Sequence, residues 1–258
     1  PNKNDYMMKK SITTLCTILL IGISFSQTIT SANIVSVGDT VFNAIDVSPS
    51  VNIGSTGTGN SWNFGSLLAN GRDTIVFSSP SSVLCASTTF SSASFKFPQD
   101  TNFGFLSKSS SSLELLGLSN GSICIASQNP ETVIEFPSSY GSTFNDVAVT
   151  QTIISGANAG IPSADSIRIN STTTILSNFD ASGTVTSPMG IFSCIRQNVE
   201  RRTTSLVYAK ISGFWNPSPL FTQNDTAYSH QYWSDATNAK YPLISYDIDA
   251  SGSLTGQI

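Results

Sequence analysis

The feature that most constrains the fold is a tight turn between two runs of alternating residues within Gly183–Val207. In Ser187-Pro188-Met189-Gly190, the proline fixes φ at the first corner and the glycine permits the exit from the turn. The run after the turn alternates apolar and polar residues at a period of two and is rich in β-branched and aromatic side chains. The segment therefore predicts a β-hairpin whose second strand enters the core at Ile191 and surfaces near Arg201.

The rest of the chain repeats this plan on both sides. Short strand-like runs recur about every ten residues with turn signals between them, and no segment after residue 26 has helical periodicity. Ser166–Leu176 has the clearest alternation, and Asp180–Gly183 is interpreted as a turn that leads into the hairpin. We predict an all-β class, an antiparallel β-sandwich or an open barrel-like sheet, formed by a single domain over 27–258 with a soft seam near 156–162.

Residues 1–26 have the pattern of an export signal. Residues 1–6 precede a start at Met7 or Met8, and Lys9-Lys10 then precedes an apolar run, Leu15–Phe25. Small residues follow immediately before Gln27, as signal peptidase requires, and the run is shorter than the roughly 20 residues of a spanning helix. We expect a signal-peptide helix cleaved before Gln27. The mature protein would have no membrane span and would be secreted, at the cell surface or periplasmic.

The charge balance argues against two classes of partner. Without residues 1–26, which contain Lys3, Lys9, Lys10 and Asp5, the chain has 9 basic and 15 acidic residues, a net charge of −6. It therefore lacks the basic surface with which proteins bind nucleic acid, and it has no polybasic or amphipathic segment for a membrane surface. No cofactor motif occurs either, so we expect no cofactor.

The mature chain has three cysteines, so one at least is unpaired within the chain. A Cys85–Cys124 disulfide suits an exported protein. The alternative is that all three are small buried residues, an interpretation that fits Cys194 within a predicted strand. No Cys-x-x-Cys pair or histidine cluster suggests a structural metal site.

Several segments together resemble a recurring type of secreted β-rich protein from Bacteroidota that has no assigned activity. They are Gln27–Thr30, Gly38–Thr40, Ser61–Phe64 with Leu67, Tyr140–Phe144, Gly183–Arg196, Tyr232–Ser234 and Lys240–Leu243. Such proteins often carry a C-terminal sorting domain of the type IX secretion system. None is recognised before Ile258, so we expect either a truncated sequence or a periplasmic protein.

The resemblance also implies O-glycosylation, because that phylum attaches glycans to Asp-Ser/Thr-apolar sequences. Four residues fit this pattern, namely Thr40, Thr74, Ser166 and Thr226. The motif is short in a chain rich in Ser and Thr, so chance matches are expected. We expect one or two of the four to be modified, chiefly those nearest loops.

Catalytic patterns are sparse. The one histidine, His230, would have to be the base of any Ser-His-Asp triad, but no Gly-x-Ser-x-Gly elbow presents a nucleophile. A glycosidase needs two facing carboxylates, and the four glutamates, Glu114, Glu131, Glu135 and Glu200, form no pattern that predicts such a pair. His230 among aromatic residues on a strand is more simply a packed or surface residue.

The segment Asp247-Ile248-Asp249-Ala250-Ser251-Gly252 resembles the start of a calcium loop. Asp247, Asp249 and Ser251 alternate as oxygen ligands and Gly252 stands at the sixth place. The position of the bidentate Glu is occupied by Ile258, so a polar β-turn is the simpler interpretation.

Five aromatic residues in the last third suggest a binding face: Trp215, Tyr228, Tyr232, Trp233 and Tyr241. On one exposed face they could stack on sugar rings. The alternative is that they fill the core, which is the ordinary role of Tyr and Trp in a sandwich.

Two functions follow from different classes. The first, which we prefer, is an exported non-catalytic protein that binds a glycan or a cell-surface partner or serves a structural role. The second is a secreted hydrolase that uses Asp/Glu residues or His230.

Overall fold

The computed structural model describes residues 27–258 except residues 84, 100 and 122, so the predicted signal peptide lies outside the described residues. The regular secondary structure of the described chain is almost entirely strand, with one single-turn helix, α1 (Ala86–Thr89), and 3₁₀ turns at Ser31–Asn33 and Pro80–Ser82. The strands are β1 (Thr28–Ile29), β2 (Thr40–Ile45), β3 (Gly57–Asn63), β4 (Gly71–Val76), β5 (Phe95–Gln99), β6 (Asn102–Lys108), β7 (Ser112–Ser119), β8 (Cys124–Glu135), β9 (Ser138–Ser139), β10 (Thr143–Ser155), β11 (Ser166–Ser187), β12 (Gly190–Ile211), β13 (Phe214–Trp215), β14 (Phe221–Trp233), β15 (Ile244–Ile248) and β16 (Leu254–Thr255).

Most strands belong to one large sheet that does not close into a barrel. Its order is β16-β15-β14-β12-β11-β10-β8-β7-β6-β5, with β13 paired to β12 and β3 paired in parallel to β11. Two small sheets, β1-β9 and β2-β4, complete the fold. The predicted all-β, sandwich-like class is confirmed, and the sheet remains open. No helix in the described part of the chain is long and apolar enough to cross a membrane.

The central hairpin is present but is longer than the sequence predicted. Ser187 pairs with Gly190 across a two-residue turn, and Gly190 has a φ of +135°, which glycine tolerates and other residues rarely adopt. The turn predicted at Asp180–Gly183 is wrong, because β11 passes through it with only a bulge between Phe179 and Ala181. Both turn-like residues serve tertiary contacts, since the Asp180 carboxylate binds Arg196 and Gly183 allows β3 to run alongside.

The prediction that β12 enters the core at Ile191 is also wrong. The Ile191 side chain is 71% exposed, and burial begins at Cys194 and continues through Gln197. Ile191 directly follows the hairpin turn, so it lies beyond the segments that cover the sheet farther along β12.

Each face of the sheet near this turn packs against a different layer. On one face, Ile195 of β12 and Trp233 of β14 share a cluster with Phe95, Leu106 and Ile134 of the β5–β8 half of the sheet. The large sheet therefore folds over on itself, and this contact forms the interior of the sandwich.

On the opposite face, Cys194 and Tyr232 pack with Trp62 and Phe64. The segment containing β3 and the C-terminal strands covers this part of the sheet. Because apolar residues lie on both faces of β12 here, Cys194 through Gln197 are all buried although they alternate in direction.

The segment predicted as a soft seam connects β10 to β11. These two strands pair in one continuous register from Thr143↔Asn178 to Ser155↔Ser166. The loop between them folds back on the sheet, where Ala159, Ile161 and Ala164 contact Ile167. The connection therefore lies inside one sheet.

Candidate functional site

One face of the sheet, far from the hairpin turn, is left uncovered. Beyond the bulge, β10, β11, β12 and β14 continue as four paired strands, and alternate side chains point away from the sandwich interior. We call this surface the open face. It consists of Val147, Val149, Gln151 and Ile153 of β10, Arg168, Asn170, Thr172, Thr174 and Leu176 of β11, Glu200, Arg202, Thr204, Leu206 and Tyr208 of β12, and Thr222, Asn224, Thr226 and Tyr228 of β14.

The two sides of these four strands differ sharply in burial. None of the open-face residues is buried, whereas the alternate positions on the other side include buried apolar residues on β10, β11 and β12. These are Ala148, Ile167, Ile175, Val199, Val207 and Ala209. Eight residue steps along β11, from Arg168 to Leu176, correspond to about 27 Å, so the open face is long enough for several sugar units.

Polar side chains on the open face bond to one another, both between neighbouring strands and along β12. The Gln151 amide donates to Asn170 Oδ1 at 2.9 Å, and the Thr204 hydroxyl donates to Asn224 Oδ1 at 2.8 Å. Arg202 Nε donates to Glu200 Oε1 at 2.6 Å. These contacts hold hydroxyl and amide groups in place on the paired strands, where they can bond to a polar polymer.

An arginine stacked on two aromatic rings marks the far end of the open face. Arg168 and Tyr208 are directly opposite on β11 and β12, and Trp215 of β13 is opposite Lys210. The Arg168 guanidinium carbon lies 4.7 Å from the centroid of the Tyr208 ring and 4.6 Å from that of Trp215. We call Arg168, Tyr208, Lys210 and Trp215 the end patch.

Two of the five aromatic residues selected from the sequence lie on or beside the open face. Trp215 belongs to the end patch, and Tyr228 lies at the other end of the open face, next to Glu200. Both are half-buried, so part of each ring is in contact with solvent.

The other three rings are in the core, which corrects the expectation of a single aromatic face. Tyr232 and Trp233 are 0% and 3% exposed and point to opposite faces of β14. Tyr241 packs against the Trp233 cluster. Adjacent residues on a strand point in opposite directions, so Tyr232 and Trp233 could not both belong to one face.

His230 belongs to a buried polar network. Its Nδ1 is 3.2 Å from the Tyr246 hydroxyl, which is 2.9 Å from the Tyr232 hydroxyl, and Tyr232 donates to the carbonyl of Ile53. Burial, reinforced by the Arg196 charge, lowers the pKa of His230 to about 4, so the ring is neutral at pH 7. Its hydrogen-bond partner is a tyrosine hydroxyl whose pKa burial raises, which is a poor nucleophile.

A buried ion pair lies in the same network. Arg196, 2% exposed, donates from Nε and Nη2 to the two Asp180 oxygens at 2.9 Å each, and from Nη1 to the Ile53 carbonyl at 3.1 Å. Although burial opposes the charge, the Asp180 carboxylate raises the pKa of Arg196 above its ordinary value. The pair fixes the segment around Ile53 onto the sheet.

The carboxylates of the hydrolase alternative are mostly engaged in structural contacts. Glu131 forms a bidentate pair with Arg201, and burial raises its pKa in spite of that partner. Its neighbour Asp146 accepts the backbone N–H of Thr132. Glu200 pairs with Arg202, and Glu114 accepts the Ser112 hydroxyl, while Glu135 is exposed.

A cavity beside β8 and β10 offers no acid or base. It has a volume of about 370 Å³ and lies where β8 and β10 diverge, between Cys124–Ala126 and Gln151–Ile154. Its walls contain no Asp, Glu, His, Lys or Arg among the described residues. General acid–base chemistry has no residue to use there.

The structure joins Cys85 to Cys124 by a disulfide and leaves Cys194 free and buried. The disulfide connects the α1 region to the first residue of β8. Burial raises the pKa of the Cys194 thiol to about 12, so this cysteine is an inert core residue in the folded protein.

The calcium-loop candidate forms a self-contained turn. Asp249 Oδ1 accepts the backbone N–H groups of Ser251 and Ser253 and the Ser251 hydroxyl, and these bonds lower the pKa of Asp249. Asp247 lies on β15, opposite Ser229. The described part of the chain contains no group of three or more His, Cys, Asp or Glu side chains that could hold a metal ion.

The four candidate glycosylation residues differ in exposure. Thr40, Thr74 and Thr226 are exposed, and Ser166 is half-buried. Thr40 and Thr74 lie on the same face of the β2–β4 sheet, which also exposes Phe42. Thr226 is on the open face.

Sequence reasoning missed Arg168 and Tyr208 as site residues. Arg168 was recognised only as a polar position in an alternating strand, and Tyr208 carried no signal. Their pairing depends on the bulge at Asp180, which shifts the register of the hairpin by one residue.

No protein-family model, curated protein or solved structure matches this chain.

Proposed function

We propose that this protein is an exported, non-catalytic β protein whose open face binds a glycan. The observation that carries the proposal is the uncovered face itself. On that side β11, β12 and β14 present hydroxyl and amide groups, β10 presents mainly the aliphatic residues Val147, Val149 and Ile153, and the face ends in a stack containing Trp215. Flat polar surfaces with a partly exposed aromatic ring suit sugar polymers, whose rings have apolar faces and polar edges.

Export and origin belong to the same proposal. The pattern of residues 1–26 supports export, and the disulfide between Cys85 and Cys124 suits an oxidising compartment. The resemblance to secreted Bacteroidota proteins supports a place at the surface or in the periplasm of such a bacterium, where glycans are abundant.

The hydrolase alternative has less support. His230 is neutral and bonded to a tyrosine inside the core. Glu131 and Glu200 are each engaged with an arginine. These three side chains are therefore engaged in contacts within the protein, and none is placed as the acid or base of a hydrolase.

The test is a polysaccharide pull-down with purified residues 27–258 and two adjacent variants. Trp215→Ala removes a ring of the end patch, and Phe214→Ala removes its neighbour, which is 80% exposed on the other side of β13. We expect Trp215→Ala to weaken retention at least about fivefold, on the scale of the about 1–3 kcal/mol that one aromatic ring contributes when a nucleic-acid base stacks on it, and Phe214→Ala to leave it within twofold.

Equal loss in both variants, or retention by neither wild type nor variants on any glycan, would contradict the proposal. A cell-surface protein partner would then become the better interpretation.

A further inference from the structure

The end patch contains two cations, Arg168 and Lys210, that form no ion pair with a described residue. Both lie on the same face, in adjacent rows. The other three arginines of the sheet, Arg196, Arg201 and Arg202, are each paired with a carboxylate. Arg168 therefore differs from the other arginines of the large sheet, each of which has a carboxylate partner.

Arg168 is held in place without using its charge. Tyr208 and Trp215 contact its guanidinium through their rings, at 4.7 and 4.6 Å from the guanidinium carbon. Its Nε is buried and has no hydrogen-bond partner within the protein. Stacking fixes the plane of a guanidinium but leaves its N–H groups free, and a planar pair of N–H donors matches a carboxylate.

The surroundings favour an anion as well. The protein is acidic, with 9 basic and 15 acidic residues after residue 26. Yet the open-face rows around the end patch contain only neutral side chains besides Arg168 and Lys210. These are Val149, Gln151, Ile153, Asn170, Thr172, Thr204, Leu206, Thr222 and Asn224. The nearest acidic residue is Asp165, whose carboxylate accepts the backbone N–H of Gly213 in the turn before β13 and forms no ion pair with a described residue. The acidic residue of the open face, Glu200, lies several rows away and is paired with Arg202.

We propose that the glycan bound by the open face is acidic, and that the end patch binds the carboxylate of a uronic acid. The carboxylate accepts from the Arg168 guanidinium, Lys210 adds a second positive charge, and the sugar ring lies against the free side of Trp215. This inference rests on the proposed function, because it names the ligand class of the same surface.

The test compares two polymers with one backbone. Polygalacturonate carries a carboxylate on every sugar, and its fully methyl-esterified form carries none. We expect wild-type residues 27–258 to bind polygalacturonate at least tenfold more tightly than the ester in affinity electrophoresis. That preference should shrink as salt is raised, because exposed charge pairs are screened.

Three variants then test which residues produce the preference for polygalacturonate over its methyl ester. Arg168→Gln should abolish the tenfold discrimination, and Lys210→Gln, which leaves the stack intact, should reduce it. Arg72→Gln is the control, since it removes an exposed arginine of the small β2–β4 sheet, outside the open face; it should leave discrimination within twofold. Thermal unfolding of each variant establishes that the fold persists.

The outcomes separate this inference from the proposed function. Equal affinity for the two polymers, with loss on Trp215→Ala, would overturn the uronate assignment and keep a glycan-binding face. Discrimination that survives in both Arg168→Gln and Lys210→Gln would also overturn it. Failure to bind these or any other polysaccharide would overturn both.

Discussion

At the scale of single residues, five buried or partly buried polar side chains form one network. Arg196, Asp180, Tyr232, Tyr246 and His230 lie between the sheet and the segment that covers it. Burying a charge is costly unless it is paired and hydrogen-bonded, and here three guanidinium nitrogens have partners. Because Arg196 and Tyr232 both bond to the Ile53 carbonyl, the network gives one position of the covering segment a lower free energy than its alternatives.

The Asp180→Asn variant tests this ion pair. It removes the negative charge, keeps the shape and leaves a buried guanidinium without its counter-ion. We expect a loss of about 3–5 kcal/mol in the free energy of unfolding, measured by urea denaturation. Glu200→Gln, which breaks the exposed pair with Arg202, should change stability little. Similar effects in the two variants would mean that the buried pair has no special role.

His230 makes stability depend on pH in a defined direction. Its pKa is about 4 in the folded protein against 6.5 for an ordinary histidine. Between these values the unfolded chain takes up a proton that the folded chain does not. The contribution is therefore complete above about pH 6.5 and is lost as pH falls toward 4.

Because His230 is the one histidine in the chain, His230→Gln isolates this effect. We expect the free energy of unfolding of the wild type, relative to that of the variant, to fall between pH 7 and pH 4 and to be flat above pH 7. A difference that is independent of pH would show that His230 titrates normally in the folded state.

At the scale of elements, the sequence predicted the hairpin but not its length. Alternation identified the strands on both sides, and the Pro188 turn appeared where expected. Asp180 and Gly183 have the composition of a turn, but their roles are a buried ion pair and a close contact with β3. Local patterns cannot distinguish these cases, because both roles depend on segments distant in the chain.

The same bulge explains why the end patch could not be foreseen. A hairpin closed at Ser187↔Gly190 without a bulge would place Arg168 opposite Ala209. The bulge moves the register by one, so Arg168 lies opposite Tyr208 on the open face.

The five predicted aromatic residues could not be sorted from sequence alone. Trp215 and Tyr228 could not be separated from the three core rings, because burial depends on which layer covers each end of the sheet.

Gly183→Ala tests the contact between β3 and β11. A Cβ at this position would clash with the Asn60 backbone carbonyl, so β3 would have to move off the sheet. We expect a loss of at least the roughly 1–3 kcal/mol typical of overpacking, with increased hydrogen exchange in β3. Thr184→Ala, at the next residue, should have a smaller effect. Unchanged exchange in β3 with Gly183→Ala would contradict the pairing.

At the scale of the whole molecule, one thiol and one disulfide should account for the three cysteines after residue 26. We expect native residues 27–258 to react with no thiol reagent, since Cys194 is buried and its pKa is raised to about 12. After unfolding without reductant, one thiol should react, and after reduction, three. Three reactive thiols without reductant would show that Cys85 and Cys124 are not joined.

The molecule as a whole is a folded-over sheet whose turn-proximal half is covered on both faces and whose far half is covered on one. The far half therefore exposes the open face, which no other described segment of the chain covers. Our central claim is that a glycan occupies that surface.

Methyl NMR of labelled residues 27–258 tests this most directly, because alternate residues on the same strands report on opposite sides. The ligand is a soluble oligosaccharide of the glycan that retains most protein in the pull-down. We predict shifts for Ile153, Thr172 and Thr204 on the open face and none for Ile167, Ile175 and Val207 behind it. Shifts confined to the second group or to the cavity between β8 and β10, or no shifts at all, would contradict the account.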